Sequence, residues 1–183
     1  MSAALRFENV ALRRGGRLLF EGLSFELQPG QALRVMGPNG SGKSSLIRLA
    51  AGLLPAERGR VDRGQAALAN DHLALDRELA LGQALGFWVR DAQASMDALG
   101  IAHLAAVPVR LLSSGQAKRA TLARVVASNA QLWLVDEPLN GLDSAGAKRF
   151  FDVVERHLAT GGAVVAASHQ PMPGNWTALG LGG

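Results

Sequence analysis

The chain has no cysteine among its 183 residues, which excludes disulfide bonds and cysteine-based metal sites. No apolar run reaches the roughly 18 residues that a membrane-spanning helix needs. The first ten residues, MSAALRFENV, contain no long apolar segment of the signal-peptide kind. These absences predict a cytoplasmic chain, and any function at a membrane then requires a partner that is embedded in that membrane.

The charge balance is only slightly basic, with 19 Lys and Arg against 15 Asp and Glu and a net charge of +4. The arginines are scattered rather than gathered into a run, so most of them are expected on solvated faces. The remainder could favour polyphosphate, nucleic acid or an anionic membrane surface. A chain of this length with 48% hydrophobic residues is expected to form one domain with a sizeable core.

Apolar segments with strand and helix character alternate along the chain. Strands are predicted at RFENVAL, GLSFELQPG, QALRVMG, QLWLVDEP and AVVAASH, and helices at GKSSLIRLAAGLL, GQAKRATLARVVASNA and SAGAKRFFDVVERHLATGG. This alternation predicts an α/β fold with a mostly parallel sheet. Residues 60–80 fit no element clearly. Residues 80–128 read as helices without a strand, which indicates a helical lobe inserted at about 71–128 of a single domain spanning 1–183.

A phosphate-binding loop is predicted at residues 37–44, GPNGSGKS, which match the pattern G-x-x-x-x-G-K-[ST]. Its glycines allow backbone N–H groups to approach phosphate closely, and the helix that follows adds a positive N-terminus. Lys43 could reach the β- and γ-phosphates, and the Ser44 hydroxyl could bind magnesium. The candidate nucleotide-binding residues are Gly37, Pro38, Asn39, Gly40, Ser41, Gly42, Lys43, Ser44 and Ser45.

Two acids and a histidine lie at the ends of two apolar strands that come after the phosphate loop in the sequence. Asp136 and Glu137 close the segment LWLVDE, where Asp136 suits a magnesium shell and Glu137 could polarise an attacking water. His169 ends AVVAASH, where it could hydrogen-bond the γ-phosphate or the same water. We therefore predict Glu137 and His169 as catalytic residues, and Ser44 with Asp136 as magnesium ligands. A solvated Asp-Glu-Pro turn is the alternative explanation for the two acids.

A second candidate anion site begins at LSSGQ, residues 112–116. Taken alone, Ser113 or Ser114 is an ordinary N-terminal helix cap. Together with the phosphate loop and LVDEP, this segment resembles the signature sequence of ABC transporter ATP-binding subunits. The resemblance covers nearly the whole chain. It implies a P-loop NTPase core of the ABC ATPase type, with N-terminal antiparallel strands, and ATP and Mg²⁺ as cofactors.

The resemblance also gives the second segment a function. In this family two copies pack head to tail, and each ATP lies between the phosphate loop of one copy and the signature helix of the other. The residues implied to contact the opposite nucleotide are Ser113, Ser114, Gly115 and Gln116. Asp143, in LNGLDS, is implied to be the loop aspartate that contacts the opposite chain.

Some segments narrow the resemblance within the family. The VPV before the signature and the HQP after the last predicted strand are similar to ATP-binding subunits of the cytochrome c maturation system. This similarity implies an ATPase at the cytoplasmic side of a bacterial inner membrane, bound to polytopic subunits. Its hydrolysis would serve haem export or the release of a haem-loaded chaperone. No nucleic acid partner is expected.

The sequence departs from the family pattern in three places. Many members carry an aromatic residue near position 14, whereas this chain has Arg13 and Arg14, which could stack on a base or be solvated. The glutamine that links γ-phosphate and magnesium to the membrane subunit aligns with His72, with Gln65 as the other candidate. The second position of the signature glycine pair is Ser114, which is still small.

Three other functions remain open from the sequence. The chain could be the ATP-binding subunit of an exporter for another substrate, such as a lipid or a drug. It could be a soluble ABC protein that acts on ribosomes or DNA, which only its basic character supports. It could also be a nucleotide-sensing subunit without catalysis, against which the intact Lys43, Asp136, Glu137 and His169 argue.

Overall fold

The computed structural model describes residues 3–70, 72–89 and 92–182. Eight strands and five α-helices are defined in this part of the chain. The strands are β1 (Leu5–Arg14), β2 (Arg17–Leu27), β3 (Ala32–Met36), β4 (Arg58–Arg63), β5 (Ala66–Ala69), β6 (Leu132–Asp136), β7 (Ala163–Ala167) and β8 (Trp176–Gly180). The helices are α1 (Lys43–Ala50), α2 (Leu81–Gly86), α3 (Gln93–Ala98), α4 (Ser114–Ala127) and α5 (Ser144–Ala159).

The strands form two sheets. An antiparallel sheet has the order β2-β1-β4, and a second sheet has the order β5-β6-β7-β3-β8. In the second sheet, β3 pairs in parallel with β7 and β8, and β6 pairs in parallel with β7. The expected α/β fold with a mostly parallel sheet and N-terminal antiparallel strands is therefore confirmed.

The core of the first compact unit lies between the two sheets and α1. This unit comprises Met1–Leu68, Ala130–Glu137 and His157–Gly183. All five residues of β6 and of β7 are buried, which explains why both segments are apolar without alternation. The core cluster includes Leu5, Phe7, Leu12, Leu33, Val35, Leu46, Ile47, Leu134 and Val165. Burial of each leucine side chain stabilises the folded state by about 1.5–3 kcal/mol. The cluster therefore holds β3, β6 and β7 in place, and with them the residues at their carboxyl ends.

The β1–β2 hairpin contains a bulge beside the phosphate loop. Leu12 is opposite Phe20 and Arg13 is opposite Leu18, which leaves Leu19 without a partner on β1. Gly42, the residue before α1, has a φ of 102°. A Cβ atom on Gly42 would lie 3.2 Å from the Cβ atom of Leu19. Glycine is therefore required at position 42 both by its backbone conformation and by the bulged strand.

The second compact unit comprises Ala69–Asn129 and Pro138–Arg156. The longest helix that lies wholly within this unit is α4, which contacts the short helix α3. Two 3₁₀ turns, Ala102–Leu104 and Val109–Leu111, connect these helices. The helical character expected for residues 80–128 is confirmed in the described part of that stretch, which contains α2, α3 and α4. The assignment of 71–128 as a lobe inserted in a single domain stays a prediction, and positions 71, 90 and 91 lie outside the described residues.

Three strands had no prediction from the sequence. β4 and β5 lie within or beside the stretch 60–80, and they are held by partners far along the chain, β1 and β6 respectively. β8 is an edge strand of mixed exposure, so its sequence, WTALG, carries no clear alternation. Within the described ranges, no helix has both the length and the apolar character needed to cross a bilayer.

Candidate active site

The predicted site residues of the first unit follow three neighbouring parallel strands. The parallel register aligns Asp136 with Ala167 and Val35 with Ala167, so β6, β7 and β3 end at the same edge of the sheet. Backbone hydrogen bonds continue past these ends, from Glu137 N–H to Ala167 O at 2.8 Å and from Ser168 N–H to Val35 O at 3.2 Å. The phosphate loop, the acidic pair and His169 therefore start from one rigid edge.

The phosphate loop links β3 to α1, as predicted. Lys43 is 7% exposed. Its Nζ donates hydrogen bonds to Gly37 O at 2.8 Å and to Pro38 O at 3.2 Å. The ammonium group is thus held inside the loop by backbone carbonyls. Asn39 and Gly40 form the exposed tip, and Ser45 is buried at the start of the helix.

Ser41 carries a polar atom that the protein does not satisfy. Its side chain is buried, its Oγ has no hydrogen-bond partner among the described residues, and its N–H donates to Pro38 O at 3.2 Å. A buried hydroxyl without a partner costs free energy. An anion held in the loop would give this hydroxyl an acceptor, so the site fits a phosphate ligand.

Ser44 and Asp136 differ in their exposure. Ser44 is exposed in the first turn of α1, while Asp136 is buried at the last position of β6. Both present oxygen atoms, which are the ligands that magnesium prefers.

Glu137 and His169 are brought together by the fold. His169 Nδ1 lies 3.0 Å from Glu137 Oε2, although the residues are 32 positions apart. The Glu137 side chain is 19% exposed and that of His169 is 58% exposed, so the pair remains open to water. Glu137 has a φ of 44°, which is uncommon for a residue other than glycine. Strained backbone of this kind clusters at active sites.

The segment LSSGQ begins α4 with a capping box. The Ser113 Oγ accepts the N–H of Gln116 at 3.3 Å, and the Gln116 Oε1 accepts the N–H of Ser113 at 2.9 Å. Ser113 and Ser114 are exposed. Because the Ser113 hydroxyl accepts here, its own proton remains available for an anion.

The loop before α5 lies against the start of α4, within the second unit. A Cβ atom on Gly115 would lie 2.7 Å from Gly141 O, so this close approach requires glycine. Asp143 Oδ1 accepts the N–H of Gly146 at 2.8 Å and caps α5. A cavity of about 240 Å³ is lined by Ser113, Gly115, Arg119, Gly141, Leu142 and Asp143.

Gln65 and His72 are the two candidates for the residue that links the γ-phosphate to the membrane subunit. Gln65 precedes β5, and its carbonyl accepts the N–H of Leu132, the first residue of β6. Gln65 is therefore at the opposite end of β6 from Asp136, roughly 13 Å away along the strand, and cannot act beside it. His72 is exposed and its N–H donates to Asn70 Oδ1 at 3.1 Å, so its predicted role stays a prediction.

Sequence reasoning missed Arg119, which lines the cavity beside Asp143. Its position four residues after Gly115 places both on one face of α4, so helical periodicity could have identified it. It also missed Leu19, because a bulge leaves no clear signal in a single sequence.

Comparison with known proteins identifies the family. Residues 20–140 match the sequence profile of the family described as ABC transporter. The chain belongs to the ABC transporter family. It is an ABC ATPase, which couples ATP hydrolysis to transport, and the recognition made from the phosphate loop and the signature segment is confirmed.

Two similar proteins align with nearly the whole of this chain. The chain is 51% identical to "Cytochrome c biogenesis ATP-binding export protein CcmA" of Sphingopyxis alaskensis, covering 92% of this chain and 91% of the relative. It is 52% identical to the CcmA protein of Novosphingobium aromaticivorans, covering 90% and 87%. A solved inward-facing metal-chelate type ABC transporter shares the fold with a TM-score of 0.81 and 26% identity, covering 93% of this chain and 75% of that one.

Proposed function

We propose that this ABC ATPase is the ATP-hydrolysing subunit of a membrane complex for cytochrome c maturation. In such a complex ATP hydrolysis serves haem export or the release of a haem-loaded chaperone. The observation that carries the proposal is the identity of 51% and 52% with two proteins named for cytochrome c biogenesis, each over about nine-tenths of this chain.

The phosphate loop is proposed to hold the triphosphate of ATP. The loop residues 37–45 provide backbone N–H groups, and the N-terminus of α1 adds a favourable dipole. Lys43, now bonded to Gly37 O and Pro38 O, can turn its ammonium to the β- and γ-phosphates. The unsatisfied Ser41 hydroxyl supports an anion at this position.

Ser44 and Asp136 are proposed to be the side chains that would hold a magnesium ion. A bound magnesium ion would neutralise charge on the phosphate oxygens. Ser44 is exposed in the first turn of α1, while Asp136 is buried at the last position of β6. These two oxygen donors fit an ion that keeps several waters and binds through few side chains.

Glu137 is proposed as the group that activates water. Its carboxylate would accept a proton from the water as the oxygen attacks the γ-phosphorus. The bond to the bridging oxygen then breaks, and ADP leaves with that oxygen as inorganic phosphate forms. His169 Nδ1, 3.0 Å from Glu137 Oε2, would orient the carboxylate and the transferred phosphoryl group.

A second copy of the chain is proposed to complete the site. Ser113 and Gly115, with Ser114 and Gln116, would face the γ-phosphate held by the opposite copy, and Asp143 would contact that copy. The capping box supports this role, because it fixes Ser113 while leaving its hydroxyl proton free. The positive end of the fourteen-residue helix α4 would add to the attraction.

The second unit is proposed to contact polytopic membrane subunits. Phe87 is 83% exposed and Trp88 is 49% exposed. They line an apolar cavity of about 340 Å³, together with Leu73, Ala74, Leu75, Asp76, Leu79 and Ala84. Exposed aromatic side chains beside a cavity are typical of interaction sites. Such binding would keep the chain at the cytoplasmic side of the inner membrane, with His72 as the proposed link to the nucleotide.

Gentle isolation from native membranes tests this function. The chain would be purified with its partners from detergent-solubilised membranes at low salt, and the partners identified by mass spectrometry and haem absorbance. We expect polytopic subunits together with haem. A polytopic partner without any haem-handling protein would reject cytochrome c maturation and favour an exporter of another substrate. Recovery without any membrane partner would reject both.

A further inference from the structure

We infer that Leu181 and Gly182, the two residues that follow β8, are positioning residues that hold the phosphate loop in its phosphate-binding shape. We call these two residues the β8 exit. The inference rests on the proposed binding of the triphosphate by the phosphate loop. It gives a role in nucleotide affinity to a segment far from the loop in the sequence. The β8 exit would act through the loop rather than by touching the nucleotide.

The β8 exit is anchored to the sheet and to the core. β8 pairs in parallel with β3, and Gly180 is level with Met36, the last residue of β3. The Leu181 N–H then donates to Met36 O at 2.8 Å, so the pairing continues one residue beyond β8. Leu181 is 5% exposed and belongs to the core cluster. The position of Leu181 is therefore fixed through both its backbone and its side chain.

The first residue of the phosphate loop lies against Leu181. A Cβ atom on Gly37 would overlap the carbonyl oxygen of Leu181 and would lie 2.6 Å from Ser41 Oγ. Only glycine fits between these two oxygen atoms. The carbonyl groups of Gly37 and Pro38 accept hydrogen bonds from Lys43 Nζ. A shift of Gly37 away from Leu181 would therefore also move the carbonyls that hold the Lys43 ammonium group.

The turn within the loop lies against Gly182. A Cβ atom on Gly182 would lie 3.4 Å from the Cβ atom of Ser41 and 3.7 Å from Cδ of Pro38. Pro38 and Ser41 are joined by the hydrogen bond from Ser41 N–H to Pro38 O. Gly182 also has a φ of 89°, a left-handed conformation that favours glycine. A methyl group at position 182 would touch this turn, and a branched side chain would displace it.

Residues from two other strands thus support the loop at its two ends. Leu19 of β2 lies against Gly42 at the end of the loop, and the β8 exit lies against Gly37 at the start. A loop whose N–H groups must point at phosphate binds more tightly when it is already ordered, because the cost of ordering it on binding is avoided. The β8 exit therefore raises the affinity for phosphate without contacting it.

The effect should be confined to nucleotide binding. Glu137 and His169 follow β6 and β7, whereas Gly182 follows β8. β3, which leads into the phosphate loop, lies between β7 and β8 in the sheet. A change at Gly182 should therefore alter the loop and leave the proposed water-activating pair in place. In kinetic terms, KM for ATP should rise while kcat stays the same.

Glycine variants of the full chain test the inference. Affinities for ATP and for inorganic tripolyphosphate would be measured by displacement of a fluorescent ATP analogue, for wild type, Gly182→Val and Gly182→Ala. Gly161→Val is the control for backbone strain, because Gly161 has a φ of 87° and nothing lies within 4 Å of a Cβ there. Gly180→Val is the control for position, because nothing lies within 4 Å of a Cβ there either. Lys43→Ala tests the phosphate site separately.

We expect Gly182→Val to weaken the binding of ATP and of tripolyphosphate by the same factor, about tenfold. Gly182→Ala should weaken both by about threefold, since its methyl group only touches the turn. Both control variants should bind both ligands within about twofold of wild type. In steady-state hydrolysis, Gly182→Val should raise KM for ATP and keep kcat within about twofold of wild type. Thermal unfolding without nucleotide would show that each variant is folded.

Four results would overturn parts of this scheme. If both Gly182 variants bind tripolyphosphate as wild type does while Lys43→Ala does not bind it, the β8 exit has no such role and the phosphate site stands. A loss for ATP alone would mean that Gly182 acts on the base or ribose and not on the loop. An equal loss in Gly161→Val would assign the effect to backbone strain. If Lys43→Ala binds both ligands as wild type does, the proposed phosphate site itself is wrong.

Discussion

His169 Nδ1 lies 3.0 Å from Glu137 Oε2, at the edge of the sheet where β6 and β7 end. The two residues are held there by different strands that share a parallel register, with Asp136 level with Ala167. The backbone N–H of Glu137 also donates a hydrogen bond to Ala167 O. Glu137 is therefore held both through its backbone and through its side chain. This pair is the part of the site where geometry and proposed chemistry agree most closely.

Glu137→Gln should preserve ATP binding and abolish most turnover. The amide keeps the size of the side chain but cannot accept the proton of the attacking water, a contribution of roughly 10²- to 10⁴-fold. Phosphate release and nucleotide affinity would be measured on the same preparation. Light scattering should detect an ATP-dependent dimer of this variant. Hydrolysis at the wild-type rate would remove Glu137 from its assigned role.

The effects of Glu137→Gln and His169→Ala should not add. Residues that act as a unit lose most of their function when either is removed. We expect the ATP hydrolysis rate of the double variant to lie within about threefold of the rate of the slower single variant. Full additivity in the four-variant comparison would show that His169 acts independently of Glu137.

Gly115→Ala should impair turnover without affecting nucleotide binding by the single chain. The added Cβ would lie 2.7 Å from Gly141 O, so the start of α4 or the loop before α5 must shift. A misplacement near 1 Å can cost about 10²-fold in rate. Gly86→Ala is the matched control, because nothing lies within 4 Å of a Cβ there. Normal turnover in Gly115→Ala would contradict the trans role of the signature helix.

Phe87→Glu should release the membrane partner. Phe87 is 83% exposed beside the cavity that Trp88 also lines, and Trp88 is held by the Arg124 guanidinium 5.0 Å from its ring centroid. A buried charge at an interface anchor costs about 2 kcal/mol or more, a loss of roughly 30-fold. Co-purification from membranes is the readout, with nucleotide binding unchanged. Leu53→Glu, at another exposed apolar position, is the control. If both variants recover as much membrane partner as wild type does, the surface around Phe87 is not the binding site for that partner.

Acidification should destabilise the fold through His157. Its ring stacks on Trp133 with 3.8 Å between centroids, and burial lowers its pKa, partly offset by backbone hydrogen bonds at Gln131 and Ala163. The unfolded chain binds a proton at this histidine near pH 6.5 and the folded chain only at lower pH. Between those values the unfolded state holds more protons, so stability falls as pH falls.

The pH effect is measured as a difference between variants. Urea unfolding of wild type and His157→Phe would be compared at pH 7.5 and 5.5. The phenyl ring keeps the stacking on Trp133 but does not titrate, so its stability should fall less on acidification. His103→Gln, at an exposed position, should behave as wild type does. If stability falls equally on acidification in all three proteins, groups other than His157 cause the loss.

Much of the fold was predictable because its signals are local. The phosphate loop between β3 and α1, the apolar strands β6 and β7 and the helices α4 and α5 each carry their own pattern of glycine, apolar residues or caps. β8 was missed because an exposed edge strand needs little hydrophobic sequence. β4 was missed because its exposed, arginine-rich sequence is held as a strand by pairing with β1.

The sequence by itself determined the family and the candidate chemistry. The motifs at 37–44, 112–116 and 132–137 are short, and their chemistry depends on residues adjacent in the chain. Only the tertiary structure decided which of these residues meet. The contact between Glu137 and His169 and the bulge that brings Leu19 to Gly42 depend on strand register. Register is set by packing between distant segments, which no local pattern in one sequence specifies.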